Sequence, residues 1–239
     1  MSKIKIQNIN FSNYSMVEFL KIFESRIDKE EKTFVVTANP EIVEYANKEH
    51  NYYETLSKAD YITPDGIGVV IASKILKRPL KERVAGYDLM SELLNIAEMK
   101  GKKVYLLGAK DGTLEKTYQN IKKKFPELNI VGRHHGYIDI SDEELVQSIV
   151  ELQPDLIFVA LGFPKQEYWI ERHIDKFQKG LFMGVGGSFD VWAGEVKRAP
   201  EVWIKLNLEW LYRLIKQPTR FKRMLVLPQF LFKVMLKRK

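Results

Sequence analysis

An aspartate follows a predicted strand, at the place where a parallel sheet binds its ligands. Asp65 lies between Pro64 and Gly66, directly after the short apolar stretch 61–63. A carboxylate there can accept a proton from a substrate hydroxyl, as a general base does. The tripeptide Pro-Asp-Gly is also an ordinary turn signal. Asp65 is therefore interpreted either as a catalytic base or as a turn residue.

Two further polar residues offer functional groups to such a site. Asn39 precedes Pro40 at the end of another buried strand, where its side chain can cap the next helix or contact a sugar or phosphate. Arg83 can stabilise charge on a departing diphosphate, or it can form a surface ion pair, for instance with Asp88. Both residues keep a structural alternative.

Two glycine-containing loops would let a ligand approach the backbone closely. The loop 108–112 follows a strand and precedes a helix whose start suits a phosphate, although it lacks the complete G-x-G-x-x-G spacing. The stretch 184–190 contains three glycines, together with Phe189, which can stack on a ligand or pack inside. Its Asp190 can accept a hydrogen bond from a base or ribose. A tight turn and a simple loop are the respective alternatives.

The sequence argues against several other kinds of site. It has no Cys, so thiolate ligands and a cysteine nucleophile are excluded. Its four His residues lack zinc-type spacing, and no Asp-x-Asp pair occurs. We therefore expect neither a metal nor a cofactor. Protein cations must then stabilise any diphosphate that leaves.

The residues above are positioned by a predicted α/β fold with a Rossmann-like, mostly parallel sheet. Apolar strands alternate with helices, which indicates a sheet covered by helices on both faces. The main strands are predicted at 33–37, 61–63, 103–109, 129–132, 155–162 and 181–187, with helices at 16–27, 67–76, 113–125, 142–152 and 165–177. Because ligands bind beyond the carboxyl ends of such strands, the candidate loops are 37–40, 63–66, 108–112, 132–139, 161–166 and 186–190.

The C-terminal segment differs in charge from the rest of the chain. Residues 197–239 hold twelve Lys or Arg and two acids, for a net charge of +10, whereas the remainder carries −3. We predict an α/β catalytic domain over 1–196 and a basic helical appendage over 197–239. An anionic partner is expected for the appendage, and its apolar content favours a membrane over nucleic acid. The aromatic residues expected to enter the membrane interface are Trp203, Trp210, Phe221, Phe230 and Phe232, the alternative for Trp203 being packing on the body.

Six motifs, taken together and in order, resemble the WecG/TagA/CpsF family of bacterial glycosyltransferases, and most of all its teichoic-acid members. The resemblance covers roughly residues 3–225 and rests on TANPEIVEYA (37–46), ITPDGIGVV (62–70), ERVAGYDLM (82–90), YLLGAKDG (105–112), ALGFPKQEYWI (160–170) and GVGGSFDVWAGEVKRAP (184–200). It implies an inverting, metal-independent transfer of N-acetylmannosamine from its UDP donor. The implied acceptor is N-acetylglucosamine linked through diphosphate to polyprenol, at the start of a wall teichoic acid linkage unit.

The resemblance also implies roles for particular residues. Asp65 matches the family's proposed base, and Arg83 matches the arginine proposed to steady the diphosphate. The other catalytic candidates are Thr37, Asn39 and Gln166. The candidates for substrate binding are Gly108, Tyr137, Gly162, Gly186, Gly187, Phe189, Asp190, Arg213, Arg220 and Arg223, of which the three arginines are expected to face the cleft or lipid headgroups.

Several alternatives stay open. Another UDP-sugar, such as the N-acetylmannosaminuronic acid or glucose donor, would suit the same family. A nicotinamide-dependent oxidoreductase requires the complete glycine fingerprint that the loop 108–112 lacks. A nucleic-acid-binding protein that uses the basic tail is a more distant alternative, and nucleic acid is not the expected partner. Self-association through apolar faces around 66–76 and 86–99 remains open, and the expected location is the cytoplasmic face of the cell membrane.

Overall fold

Six parallel strands form the central sheet of the computed structural model, which describes residues 3–206, 208–216 and 225–236. The strands are β3 (Thr33–Ala38), β4 (Tyr61–Pro64), β5 (Lys103–Gly108), β6 (Asn129–His134), β7 (Leu156–Ala160) and β8 (Leu181–Gly184). Their order across the sheet is β4-β3-β8-β7-β5-β6, and every neighbouring pair is parallel. The predicted α/β fold is confirmed.

Helices connect the strands and cover the sheet. They are α1 (Met16–Asp28), α2 (Pro40–Ala46), α3 (His50–Ser57), α4 (Ile67–Ile75), α5 (Gly86–Met99), α6 (Asp111–Lys124), α7 (Glu143–Leu152), α8 (Lys165–His173) and the short α9 (Ser188–Trp192). A small antiparallel hairpin, β1 (Lys3–Ile6) with β2 (Ile9–Ser12), precedes them. Helices α10 (Glu201–Lys205), α11 (Glu209–Lys216) and α12 (Val226–Leu236) follow.

Alternate strand residues divide the core into two layers, one on each face of the sheet. Phe34 and Val36 of β3 point into the layer formed with the hairpin and helices α2, α3 and α8. Val35, between them, belongs to the layer formed with α1, α5 and α6. Because successive strand side chains point to opposite faces, a continuous apolar run such as TFVVTA fills both layers.

Three strands end in turns that only glycine adopts easily. Gly108, Gly162 and Gly186 have φ angles of +127°, +73° and +48°. At Gly108 a Cβ atom would also lie 2.4 Å from the backbone oxygen of Ala160. These turns explain why β7 and β8 stop before positions 162 and 187, where the apolar pattern alone predicted their ends.

The C-terminal helix α12 packs against the body. Phe230 and Val234 are 0% and 1% exposed, in the core layer that also holds residues of α2 and α4. Lys233 forms an ion pair with Glu44, a nearly buried acid of α2. The prediction that Phe230 enters a membrane interface is therefore wrong, because burial against the protein removes its ring from any outside surface.

The remaining predictions for the appendage have mixed outcomes. The predicted helical appendage contains α10 and α11 as two separate helices, and the backbone amide of Leu208 donates a 2.8 Å hydrogen bond to the oxygen of Trp203. Phe232 is 58% exposed and remains available to a surface, whereas Phe221 lies outside the described residues. Among the helices described, none is both long and apolar enough to span a bilayer.

Candidate active site

Asp65 lies at the carboxyl edge of the sheet, beside the end of β3. Strands β3 and β4 pair Thr37 with Thr63 and Ala38 with Pro64. The backbone amide of Asp65 continues this pairing with a 2.9 Å hydrogen bond to the oxygen of Ala38. The residue is half-buried. The structure therefore places the carboxylate at the ligand-binding edge and next to Asn39.

Asn39 caps helix α2. Its Oδ1 accepts hydrogen bonds from the amides of Glu41 at 2.9 Å and Ile42 at 3.1 Å. Gly66 lies against it, since a Cβ built there would be 3.6 Å from that of Asn39. The capping interpretation is confirmed. The two capping bonds use Oδ1 and hold the Asn39 side chain beside Gly66, the residue that follows Asp65.

Arg83 is held near Asp65 by a backbone hydrogen bond of the next residue and by an ion pair with Glu209 of the appendage. The amide of Val84 donates to the oxygen of Pro64 at 2.9 Å. Nη2 of Arg83 lies 2.8 Å from Oε2 of Glu209 on α11, and the two side chains are only 17% and 7% exposed. Burial alone would lower the pKa of Arg83, but the carboxylates of Asp65 and Glu209 outweigh it and raise that pKa above its usual value.

The alternative partner suggested for Arg83 is engaged elsewhere. Asp88 accepts a 2.6 Å hydrogen bond from Nη2 of Arg198, and the Arg198 guanidinium lies 4.8 Å from the centre of the Tyr87 ring. In place of the surface ion pair with Asp88 that was the structural alternative, Arg83 forms a buried ion pair with Glu209. Arg198, at the start of the appendage, covers the first turn of α5.

Thr37 joins three elements at this edge. It is 8% exposed, and its Oγ1 donates to the oxygen of Gly184 on β8 at 3.1 Å. A Cβ added to Gly86 would lie 3.2 Å from Thr37 Oγ1, so helix α5 begins directly against this side chain. Helix α5 has no side-chain cap. The start of α5 therefore lies against Thr37 at this edge of the sheet.

Gln166 connects α8 with the glycine loop after β8. Its Oε1 accepts a 3.1 Å hydrogen bond from the amide of Gly186, and its Nε2 donates to Oε1 of Glu167 at 2.7 Å. The amide of Gln166 in turn donates to the oxygen of Gly162 at 3.0 Å. Burial raises the pKa of Glu167 to about 7.

The stretch 186–190 contains both buried and exposed residues. Phe189 is fully buried, and its backbone oxygen accepts from Thr117 at 2.8 Å, so the structure shows the packing alternative for its ring. Gly187 is exposed and Asp190 half-buried. The backbone oxygen of Asp190 accepts from the amides of Glu195 and Val196, which holds the turn after α9.

Gly108 and Tyr137 lie towards the other side of the sheet. The amide of Gly136 donates to the oxygen of Ala109 at 2.7 Å, which joins the loops after β5 and β6. Tyr137 is 70% exposed. Strands β3 and β5 are three places apart in the sheet, about 14 Å at the usual strand spacing. A ligand that reaches both groups must be elongated.

The remaining candidates divide as follows. The structure brings together Thr37, Asn39, Asp65, Arg83 and Gln166 around the ends of β3, β4 and β8. The side chain of Arg213 lies outside the description, as do the whole of Arg220 and Arg223. Within the described ranges, no three His, Asp or Glu side chains are grouped as a metal site would require.

The chain matches known proteins along almost its whole length. The model of the glycosyl transferase WecG/TagA/CpsF family matches residues 4–239. The chain belongs to this family. It is 43% identical over 236 residues to the N-acetylglucosaminyldiphosphoundecaprenol N-acetyl-beta-D-mannosaminyltransferases of Staphylococcus aureus strains MW2 and NCTC 8325, covering 98% of this chain and 92% of each relative. The resemblance inferred from the six motifs is confirmed.

Two acids near the site of this WecG/TagA/CpsF protein were not predicted from sequence. Glu209 is one of only two acids in the basic segment 197–239, and that isolation was a signal that it has a specific cationic partner. Glu167 adjoins Gln166 in a motif that was noted, but local sequence does not reveal that its carboxyl is 0% exposed. Both side chains contact a residue with a predicted role.

Proposed function

We propose that this glycosyltransferase moves N-acetylmannosamine from UDP-N-acetylmannosamine to the N-acetylglucosamine of a diphosphoundecaprenol-linked acceptor, with inversion at the anomeric carbon. The observation that carries the proposal is the juxtaposition of Asp65 and Arg83 at the carboxyl edge of the sheet. The names of the Staphylococcus aureus relatives support the sugar and the acceptor. The product would begin the linkage unit of wall teichoic acid.

Asp65 is assigned the role of general base. Inversion needs one in-line displacement, in which the acceptor hydroxyl oxygen bonds to the anomeric carbon while the bond from that carbon to the diphosphate oxygen breaks. The hydroxyl proton passes to the Asp65 carboxylate, and UDP leaves with the bonding electron pair. A half-buried carboxylate that follows β4 directly is held firmly enough by its backbone bonds for this transfer.

Arg83 is assigned to the departing diphosphate. Its guanidinium is always charged and presents several donors in a plane, which suits phosphate oxygens. The first turn of α5 begins three residues later, and the positive end of the helix dipole there favours an anion. Together they can stabilise negative charge as it develops on the leaving group.

The donor is proposed to extend along the sheet edge from Asp65 towards β5. The loop 186–190 would contact the nucleoside through Asp190 and exposed backbone at Gly187, and the loop 108–112 with Tyr137 would border the diphosphate or the uracil end. Phe189 supports this surface from within. Gln166 and Thr37 hold β8 and its loop in register with β3.

The appendage is proposed to bring the enzyme to a membrane that holds its lipid-linked acceptor. Among described residues, seven of the eleven most exposed large hydrophobic side chains belong to the segment after residue 196: Val202, Leu206, Ile215, Leu225, Phe232, Met235 and Leu236. The same segment carries a net charge of +10. Basic charge combined with exposed apolar groups favours an anionic lipid surface. We therefore propose residues 1–196 as the catalytic unit and 197–239 as the membrane-associating unit, on the cytoplasmic face of the cell membrane.

A donor panel tests the proposed reaction. Purified protein is incubated with a short-chain diphosphate-linked N-acetylglucosamine lipid and, in separate reactions, the UDP derivatives of N-acetylmannosamine, N-acetylmannosaminuronic acid, N-acetylglucosamine and glucose. We expect product only, or at least tenfold faster, with UDP-N-acetylmannosamine. Faster transfer from another donor would overturn the sugar assignment, and absence of transfer from all four would overturn the proposed reaction.

A further inference from the structure

Glu167 is a buried acid that the proposed chemistry does not use. It lies in the first turn of α8 and is 0% exposed. A carboxyl group withdrawn from water costs free energy unless it makes hydrogen bonds. Its Oε1 accepts from Gln166 Nε2 at 2.7 Å, and the buried hydroxyl of Tyr52 interacts with the same carboxyl group. This buried group therefore needs an explanation.

The hydrogen bonds determine which way the Gln166 amide faces. The backbone amide of Gly186 can only donate, so it requires the oxygen end of the Gln166 side chain, 3.1 Å away. The opposite, nitrogen end then needs an acceptor. Glu167 supplies one, and it does so from the same turn of helix α8, so no other element has to move to make the bond.

The end of β8 lies close to the Gln166 amide. A Cβ added to Gly184 would lie 2.6 Å from Nε2 of Gln166 and 3.1 Å from Oε1 of Glu167. The end of β8 is therefore packed directly against both side chains. The oxygen of Gly184 accepts from Thr37 Oγ1 at 3.1 Å. One continuous set of contacts thus runs from Glu167 through Gln166 to the loop 186–190, and through Gly184 to Thr37.

We propose that Glu167 is a positioning residue for the donor: it holds the Gln166 amide in the orientation that keeps the backbone at Gly186 in place to receive the nucleotide. Glu167 itself touches no substrate. The role presupposes the donor contacts proposed above for residues 186–190. The role requires an oxygen that accepts the hydrogen bond from Gln166 Nε2, and it does not require a negative charge. A neutral side chain with a carbonyl oxygen should therefore hold the Gln166 amide equally well.

Binding of UDP to the intact chain tests this role with two substitutions. Glu167→Gln keeps an acceptor oxygen, whereas Glu167→Met keeps the approximate volume and removes it. By calorimetry, we expect Glu167→Gln to bind UDP within about threefold of wild type and Glu167→Met about tenfold more weakly, as loss of a buried hydrogen-bond partner predicts. In turnover, the KM for the donor should rise with Glu167→Met while the KM for the lipid acceptor stays within about twofold.

A double variant that exchanges the two side chains, Gln166→Glu with Glu167→Gln, tests the role even if Glu167→Met does not fold. Gln166→Glu alone places two acceptors face to face, which should weaken UDP binding. Adding Glu167→Gln lets position 167 donate to position 166, whose second oxygen can still accept from Gly186, so affinity should recover to within about threefold of wild type. Failure of the pair to recover, or unchanged UDP affinity in a folded Glu167→Met protein, overturns the role. UDP binding by wild type without N-acetylmannosamine transfer would overturn only the proposed reaction.

Discussion

The guanidinium of Arg83 is influenced by several neighbouring carboxylates. Asp65, Glu209 and Asp88 all favour its charged form, with Glu209 only 2.8 Å away. A diphosphate would bring further negative charge to the same group. The residue is therefore suited to an anion, and its carboxylate neighbours set how strongly that anion binds. The base and the diphosphate ligand are also close enough to influence each other.

Asp65→Asn should abolish most turnover without loss of donor binding. The amide keeps the shape of the carboxylate but cannot accept the acceptor's proton, so the rate should fall by about 10²–10⁴-fold. UDP affinity should be equal or higher because one negative charge near Arg83 is gone. The rate is measured with UDP-N-acetylmannosamine and the short-chain lipid acceptor.

Asp175→Asn is the matched control. Its side chain is 92% exposed and pairs with Lys32, which precedes β3 at the opposite edge of the sheet. It should retain wild-type turnover. A folded Asp65→Asn protein with a near-normal rate would remove Asp65 from the role of base.

Helix α11 contributes the side chain of Glu209 to the site. Glu209 is 5% exposed and reaches Arg83 from the appendage, 126 positions along the chain. The Glu209 carboxylate pairs with the Arg83 guanidinium, which is the group that we propose to bind the diphosphate. The contact therefore links the placement of an appendage helix to the binding of the donor.

Glu209→Gln should bind UDP about three- to tenfold more tightly than wild type. The substitution keeps an oxygen that can accept from Arg83 but removes a negative charge that repels the diphosphate. Glu201→Gln changes the other acid of the basic segment, which is exposed on α10, and should leave UDP affinity unchanged. Calorimetry compares the two variants. Weaker binding by Glu209→Gln would show that its charge assists the donor.

On the scale of the whole molecule, the appendage has an inner and an outer apolar surface. Phe230 and Val234 of α12 are buried against the body, and Lys233 pairs with Glu44. Phe232, Met235 and Leu236 on the same helix are 58%, 51% and 64% exposed. The apolar faces around 66–76 and 86–99, which suggested self-association, mostly pack into the core. Among their large apolar side chains, Ile71 and Met99 are exposed. A homo-oligomer stays a prediction.

Phe232→Ser, Met235→Ser and Leu236→Ser together should weaken vesicle binding at least tenfold without unfolding the protein. Burying one such side chain in an apolar medium contributes about 1.5–3 kcal/mol, and the buried side chains of α12 are unchanged. Cosedimentation with vesicles that contain anionic lipid measures the binding, and added salt should reduce it for wild type.

A body variant with Val17→Ser and Met99→Ser serves as the control. These residues are 61% and 70% exposed and lie on α1 and at the end of α5. The control should bind vesicles like wild type. Equal binding by the α12 triple variant and wild type would contradict a lipid role for the outer surface of that helix.

The sequence alone was sufficient for the six strands of the central sheet, five of the helices that cover it, the parallel arrangement, the loops at its carboxyl edge and the family. These features follow from short-range patterns: apolar runs, glycine turns and motifs that persist in order along the chain. The residues Thr37, Asn39, Asp65, Arg83 and Gln166 were named for the same reason, and the structure brings them to one edge. Their roles stay predictions.

Only the tertiary structure decided which partners those residues have. The pair of Arg83 with Glu209, the buried carboxyl of Glu167 and the docking of Phe230 join positions that are distant in sequence or hidden by local pattern. The amphipathic pattern of α12 suits a protein core as well as a lipid surface, because both remove apolar area from water. Which of the two covers a given side chain depends on what the fold places opposite it.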